Sequence, residues 1–187
     1  MERLLNLYPN GFEIITVNIH AGTTSLERRW PPERFIEVCR SLLAKGAPTR
    51  FVFIGTVGER DYVEKALAME IIVKANAFNA AGLLSIGELV ALLDRSSLLL
   101  TNDSGPMHIA SAVGTRVVAL FGPESPAFYG PSLRSCRPIY KAIECSPCLN
   151  AYDAKLFVCP YNARCMKEIS VQEVLSAIET FRPLLAT

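Results

Sequence analysis

The segment LLLTNDSGPMHIASAVG, residues 98–114, joins a run of three leucines directly to a dense group of polar and turn-forming residues. The leucines predict a buried strand, and Ser104 or Asp103 can cap a helix that follows it and ends at Gly114. Proline is favoured in the first turn of a helix, and Gly105 lets a ligand approach the backbone closely. Because the free N–H groups and the helix dipole both favour anions, the segment predicts a phosphate site between a strand and a helix.

The rest of the chain alternates between short apolar runs and longer amphipathic segments. The predicted strands cover residues 14–19, 51–54, 71–73, 98–101 and 117–121. A helix is predicted from Pro32 to just before Gly46, and a last one over residues 170–181. Continuous apolar strands separated by helices are typical of parallel strands that are covered on both faces. We therefore expect a doubly wound, Rossmann-like α/β sheet in a single domain over residues 1–187.

The overall composition excludes several classes of protein. Half of the 187 residues are hydrophobic, which argues against disorder, and the net charge of +1 argues against a nucleic-acid partner. No apolar run reaches the roughly 18 residues that a membrane-spanning helix needs. The first residues also lack the apolar core of about 7–15 residues that marks a signal peptide. These features predict a cytoplasmic protein.

Glycines and hydroxyl side chains collect after four of the predicted strands. These strand ends cover residues 20–25, 55–60, 102–106 and 122–126. The segments that enter the same strands are ordinary in composition. In doubly wound sheets, ligands bind in the crevice beyond the carboxyl ends of the strands. The one-sided distribution therefore predicts a ligand site at that edge of the sheet.

Arg28 and Glu59 are the first two candidate ligand-binding residues. Arg28 follows the first strand-end loop, and the fork of a guanidinium suits phosphate oxygens. The alternative is a solvated charge pair with Arg29, with Trp30 as a packing anchor. Glu59 follows the second strand, where a carboxylate commonly accepts from ribose hydroxyls in nucleotide-binding α/β folds.

Asp103 and His108 flank the predicted phosphate site. Asp103 would repel a bare phosphate, so it is expected to bind sugar hydroxyls or to orient its neighbours. His108 lies one turn into the helix and could donate a hydrogen bond to a ligand. The alternative is an ordinary capped helix in which Asp103 satisfies backbone donors and His108 is structural.

Four of the six cysteines are spaced as C-x2-C-x10-C-x5-C within a Cys-rich loop predicted over residues 136–165. They are Cys145, Cys148, Cys159 and Cys165. A C-x-x-C pair often begins a structural zinc site, and an iron–sulfur cluster is the other metal option. Reduced thiols packed in the loop are an equally weighted alternative, and disulfides formed after isolation are a third.

Four stretches together give the chain a family resemblance. They are TNDSGPMHIASAVGTRVVALFGPESPAFYGP at residues 101–131, RRWPPERFIEV at 28–38, and the weaker matches at 55–60 and 165–178. The chain resembles glycosyltransferase family 9, which includes the ADP-heptose:lipopolysaccharide heptosyltransferases. The match is to the C-terminal, nucleotide-sugar-binding half of a two-domain GT-B enzyme, and it spans nearly the whole chain.

The resemblance implies a set of donor-binding residues. By position in the family motifs these are Thr23, Thr24, Arg28, Glu59, Asp103, Ser104, Gly105 and His108. Asp103, Ser104 and Gly105 match the loop that holds the donor's diphosphate and sugar. Arg28 stands where the family usually has lysine, so the charge is kept but its geometry differs. Glu59 matches the ribose-binding acid.

The function implied by the resemblance is the donor half of a sugar transfer. The donor would be a nucleoside-diphosphate sugar such as ADP-heptose, the acceptor a lipopolysaccharide-type glycan, and no metal cofactor would be required. The family's catalytic aspartate lies in an N-terminal acceptor domain, which these residues do not include. We therefore expect donor binding without transfer unless that domain or a partner chain is supplied. The alternative is a non-catalytic nucleotide-sugar-binding module, and a peripheral position at the inner membrane is compatible with either function.

Overall fold

The computed structural model describes residues 11–22, 25–131, 135–149 and 158–181. Six parallel strands form one sheet in the order β3-β2-β1-β4-β5-β6. The strands are β1 (Glu13–Asn18), β2 (Thr49–Phe53), β3 (Ala77–Asn79), β4 (Leu98–Asn102), β5 (Arg116–Phe121) and β6 (Cys136–Tyr140). The predicted doubly wound, Rossmann-like sheet is confirmed.

Helices cover both faces of this sheet. They are α1 (Pro32–Leu43), α2 (Arg60–Leu67), α3 (Ile71–Ala75), α4 (Ile86–Arg95), α5 (Gly105–Ala112), α6 (Pro126–Tyr129), α7 (Arg164–Lys167) and α8 (Val171–Glu179). Capping boxes begin α4 at Ser85 and α8 at Ser170, as their S-x-x-E sequences dictate. Within the described ranges, none of the helices is long and apolar enough to cross a membrane.

Each strand of the sheet contributes to two apolar cores. Leu98 and Leu100 of β4 pack into the core on one face, which also contains the fully buried Trp30. Leu99 packs into the core on the other face with Met107 of α5. All five residues of β4 are buried, so the leucine run is continuous because both of its faces need apolar side chains.

The prediction of a strand at residues 71–73 is wrong. Those residues lie in the short helix α3, and Ile71 is 84% exposed. The strand that pairs with β2 is instead the three-residue β3. A short apolar run does not distinguish a strand from a helix segment by periodicity, and the true strand is too short to give a clear pattern.

The predicted Cys-rich loop begins later than expected. Its first residues form the edge strand β6, which pairs with β5. This strand was not predicted because it contains Pro138, and proline usually argues against a strand. An edge strand tolerates proline because the backbone groups on its outer side need no hydrogen-bond partner from another strand. Residues 150–157 of the predicted loop lie outside the described residues. The helix predicted over residues 170–181 corresponds to α8, which spans Val171–Glu179.

Candidate functional site

A cavity of about 650 Å³ opens at the carboxyl ends of β1, β2 and β4. The strand order reverses between β1 and β4, so the chain leaves these neighbouring strands toward opposite faces. Such a reversal leaves a crevice in doubly wound sheets. The cavity lies in the crevice that the sequence predicted from its strand-end loops.

The N-terminus of α5 forms one wall of this cavity. Ser104, Gly105 and Pro106 line it, and a Cβ atom built on Gly105 would meet open space. Ser104 occupies the N-cap position but does not cap the helix, which corrects the sequence prediction. Its hydroxyl accepts from Asn18 Nδ2 at 2.8 Å and donates to the Asn102 carbonyl at 3.1 Å. Pro106 has no N–H and the Met107 N–H donates to the Ser104 carbonyl, so the backbone at Gly105 is the part of the first turn that an anion in the cavity can approach.

Arg28 brings a positive charge to the same cavity. It ends the 3-10 turn Leu26–Arg28, lines the cavity, and has a side chain that is 17% exposed. Its Nη2 donates to the Ala21 carbonyl at 2.9 Å, and its Nη1 donates to Glu124 Oε2 at 3.2 Å. Arg29 points elsewhere, since it donates to the Gly22 carbonyl and stacks over a tyrosine ring. Of the two arginines, only Arg28 is placed to meet a ligand phosphate in the cavity.

Asp103 and Glu124 lie beside Arg28, and each is 5% exposed. Asp103 Oδ2 is 3.7 Å from Arg28 Nη1. Burial and the Glu124 carboxyl raise the pKa of Asp103 to about 8, against the opposing effect of Arg28. Asp103 contacts Arg28 but is not part of the cavity wall. Asp103 therefore acts on the cavity through its contact with Arg28.

Glu59 is held in the cavity wall by its own turn. Its Oε2 accepts from the Thr56 N–H at 2.7 Å and completes a capping box around the 3-10 turn Val57–Glu59. Its Oε1 lies 3.0 Å from His20 Nδ1, and the residue is 7% exposed. A carboxylate has about four lone-pair positions, so Glu59 can still accept from a ligand hydroxyl.

His20 lines the cavity and was not among the site residues predicted from the sequence. It is 4% exposed and meets the Tyr62 ring edge-on with the ring centroids 4.5 Å apart. Burial lowers the pKa of His20 below its ordinary value, against the nearby Glu59 carboxylate. The imidazole is therefore neutral near pH 7. Its position directly after β1, in a loop already assigned to the site, was the signal that could have identified it.

The other end of the cavity is apolar. Its wall contains Ile54, Val57, Leu84, Ile86 and Leu89. Val57 and Ile86 are 77% and 76% exposed, so they present apolar surface that the protein itself leaves uncovered. Such a surface suits the flat face of a nucleobase.

Of the remaining predicted donor-binding residues, only His108 lies in the described part of the chain. His108 is exposed on α5 and is not part of the cavity wall, while Thr23 and Thr24 lie outside the described residues. Among the described residues, no group of three or more His, Cys, Asp or Glu side chains is arranged to hold a metal ion.

The four predicted metal-ligating cysteines also differ in their surroundings. Cys165 is buried, Cys148 is exposed, and Cys145 and Cys159 are intermediate. Burial and, to a smaller extent, the neighbouring Cys148, Cys159 and Cys145 raise the pKa of the Cys165 thiol to about 11, so the four thiols lie close enough to act on one another. Because no metal site is shown at Cys145, Cys148, Cys159 and Cys165 in the described part of the chain, zinc at these cysteines stays a prediction.

This chain is similar to known proteins in both sequence and fold. The model of glycosyltransferase family 9 (heptosyltransferase) matches residues 9–157. Lipopolysaccharide heptosyltransferase 2 of Escherichia coli is 32% identical over 113 residues, which are 60% of this chain and 32% of that protein. The chain thus aligns with well under two thirds of the length of this relative.

Solved structures show the same architecture. The E. coli ADP-heptose lipopolysaccharide heptosyltransferase II superimposes with a TM-score of 0.80 at 22% identity, covering 100% of this chain and 52% of that one. The E. coli heptosyltransferase WaaC, solved with ADP, superimposes with a TM-score of 0.64 at 17% identity, covering 96% and 48%. At these identities the likeness shows the fold, and the chain corresponds to about half of each solved protein.

Proposed function

This chain belongs to glycosyltransferase family 9, and we propose that it is the donor-binding part of a glycosyltransferase that acts on lipopolysaccharide. The proposed donor is a nucleoside-diphosphate sugar, with ADP-heptose as the first choice because the relatives are heptosyltransferases. One observation carries the proposal. A single cavity joins an apolar wall, a buried carboxylate, a guanidinium and a helix N-terminus.

These four features match the parts of the proposed ligand. The apolar wall takes the base, and Glu59 accepts hydrogen bonds from the ribose hydroxyls. The diphosphate lies between Arg28 and the N-terminus of α5 at Gly105, where both the charge and the dipole favour an anion. The cavity volume of about 650 Å³ is in the ordinary range for small-molecule sites.

The proposed reaction is a displacement at the sugar's anomeric carbon. An acceptor hydroxyl forms the new bond to that carbon while the bond to the diphosphate oxygen breaks, and the nucleoside diphosphate leaves with the bonding electrons. Arg28 and the N-terminus of α5 stabilise the charge that develops on the leaving group. The proton of the acceptor hydroxyl passes to a base supplied by the acceptor-binding domain of the family.

Calorimetric titration of the chain with ADP tests the proposal. Hydrogen bonds to charged groups contribute about 1.5–3 kcal/mol each, so we expect Arg28→Gln to weaken ADP binding about tenfold or more. Arg40→Gln is the matched control, because Arg40 is exposed on α1. No ADP binding by the wild-type chain at a concentration of about 1 mM, which corresponds to about −4 kcal/mol, would refute the proposal.

Transfer activity separates an enzyme from a non-catalytic binding module. Both functions require ADP-sugar binding, but only the first gives turnover when the family's acceptor-binding domain is supplied with an acceptor. We expect release of ADP in that mixture and not with the chain alone. Binding without turnover in the complete mixture would favour the module.

A further inference from the structure

A buried cluster of two carboxyl groups and one guanidinium adjoins the cavity. Asp103 comes from the turn after β4, Glu124 from the loop after β5, and Arg28 from the turn after β1. Arg28 Nη1 is 3.2 Å from Glu124 Oε2 and 3.7 Å from Asp103 Oδ2. Three separate loops thus converge on one charged group that also lines the cavity.

The charges of this cluster do not balance if both acids are ionised. One guanidinium would then face two carboxylates that are each 5% exposed. A buried charge without a partner is strongly disfavoured, and two adjacent carboxylates usually retain one proton between them. Within the described part of the chain, no hydrogen bond reaches Asp103 Oδ2, and its ion-pair contact with Arg28 Nη1 is a longer one of 3.7 Å.

The identity of the protonated group follows from what surrounds it. The charged side chains that act on the Asp103 carboxyl are Arg28 from its 3-10 turn and Glu124 from the loop after β5. Glu124 receives the hydrogen bond from Arg28, whereas Asp103 stands farther from the guanidinium. Burial and Glu124 together raise the pKa of Asp103 to about 8. Asp103 is therefore the neutral acid and Glu124 the carboxylate.

We propose that Asp103 and Glu124 share one proton, and that Glu124 is a positioning residue that, together with burial, keeps Asp103 neutral and also holds Arg28 at the diphosphate end of the cavity. This inference rests on the proposed function, because it concerns the binding of a nucleoside diphosphate. With one proton the cluster is neutral, and Asp103 adds no negative charge beside the ligand. Loss of that proton leaves the cluster negative and weakens diphosphate binding.

The pH dependence of ADP affinity tests this proposal. Phosphate groups lose their second proton at a pKa of about 6, so ADP keeps a constant charge from pH 7.5 to 9.5. For the wild-type chain we expect the ADP affinity to fall about sixfold between pH 7.5 and pH 9.5, as for a pKa near 8 that diphosphate binding raises by roughly one unit. The variant Glu124→Gln leaves Asp103 as the only carboxylate partner of Arg28, so its cluster is neutral throughout. Its affinity should not depend on pH over this range.

The exposed Glu37 on α1 provides the matched control. Glu37→Gln makes the same chemical change away from the cluster and should keep the wild-type decline. A wild-type ADP affinity that does not change with pH would overturn the shared proton, and so would a decline that persists in Glu124→Gln. In either case ADP still binds, so the proposed function remains. Absence of ADP binding at every pH would instead overturn the proposed function and this inference together.

Carbon-13 NMR of labelled aspartate carboxyls gives a readout that needs no ligand. In the wild-type chain we expect the Asp103 carboxyl to titrate at about pH 8. In Glu124→Gln it should titrate at a clearly lower pH than in the wild-type chain, because burial still raises its pKa but the neighbouring acid is gone and Arg28 favours its ionised form. Titration of Asp103 near its ordinary pKa in the wild-type chain would overturn the proposal, whatever the affinity for ADP.

Discussion

Replacing Arg28 by methionine is expected to destabilise the fold as well as the ligand site. Methionine keeps the apolar stem but removes the partner of Glu124, whose carboxylate is 5% exposed. Breaking a buried ion pair by removing one partner costs about 3–5 kcal/mol. The Arg28 side chain is 17% exposed, so water relieves part of that cost. We expect Arg28→Met to lower the free energy of unfolding by about 3 kcal/mol at pH 7.

The loss of stability in Arg28→Met depends on pH. A buried carboxylate without a partner becomes neutral when it takes up a proton. For an ordinary glutamate, the free energy of this protonation is about 4 kcal/mol at pH 7 and about 1 kcal/mol at pH 5. The effect of Arg28→Met should therefore shrink to about 1 kcal/mol at pH 5. Adding Glu124→Gln to Arg28→Met removes the stranded charge and should restore most of the stability at pH 7.

Urea denaturation followed by circular dichroism at pH 5 and pH 7 measures these differences. Arg40→Met is the control, because Arg40 is exposed on α1 and surface substitutions usually change stability by less than about 0.5 kcal/mol. A loss below about 1 kcal/mol at pH 7, or a loss of equal size at both pH values, would refute the account of this cluster.

Three further perturbations test other parts of the site. Gly82→Ala should lower the free energy of unfolding by about 2 kcal/mol in thermal melts, because Gly82 has φ +74° and an added Cβ would lie 2.7 Å from Val57 Cα. Gly87 is the control, because it lies in a helix with open space around it, and Gly87→Ala should be neutral or stabilising. Glu59→Gln should weaken ADP binding about tenfold in calorimetry if a charged acceptor holds the ribose, and an unchanged affinity would remove Glu59 from the site. Because the pKa of Asp103 is raised from 3.8 to about 8, the stability it contributes is present below pH 3.8 and lost as the pH rises to about 8. Asp103→Asn should therefore become more stable relative to the wild-type chain between pH 5 and 8, and a constant difference in urea titrations would contradict this.

The sequence was most informative where one physical rule governs a whole segment. The leucine run of β4 predicted a strand that is buried on both faces, and the polar residues after it predicted the helix that follows. The strand-end loops likewise predicted the location of the cavity. These features depend on local pattern and on the geometry common to doubly wound sheets.

Features that depend on contacts between distant residues were not predictable in the same way. Asp103 and Glu124 meet only because β4 and β5 are neighbours in the sheet, so neither loop alone reveals the buried acid pair. The Ser104 hydroxyl bonds to Asn18 instead of capping its own helix, again because β1 and β4 are adjacent. The failed strand at residues 71–73 has a local cause, since three apolar residues fit a helix as well as a strand.

A crystal structure of the chain with ADP tests the central claim most directly. We predict that the base lies against the wall formed by Leu84 and Ile86, and that the diphosphate oxygens lie within hydrogen-bond distance of Arg28 and of the backbone at Gly105. ADP bound outside the cavity, or a diphosphate held without contact to Arg28 and the first turn of α5, would contradict the account.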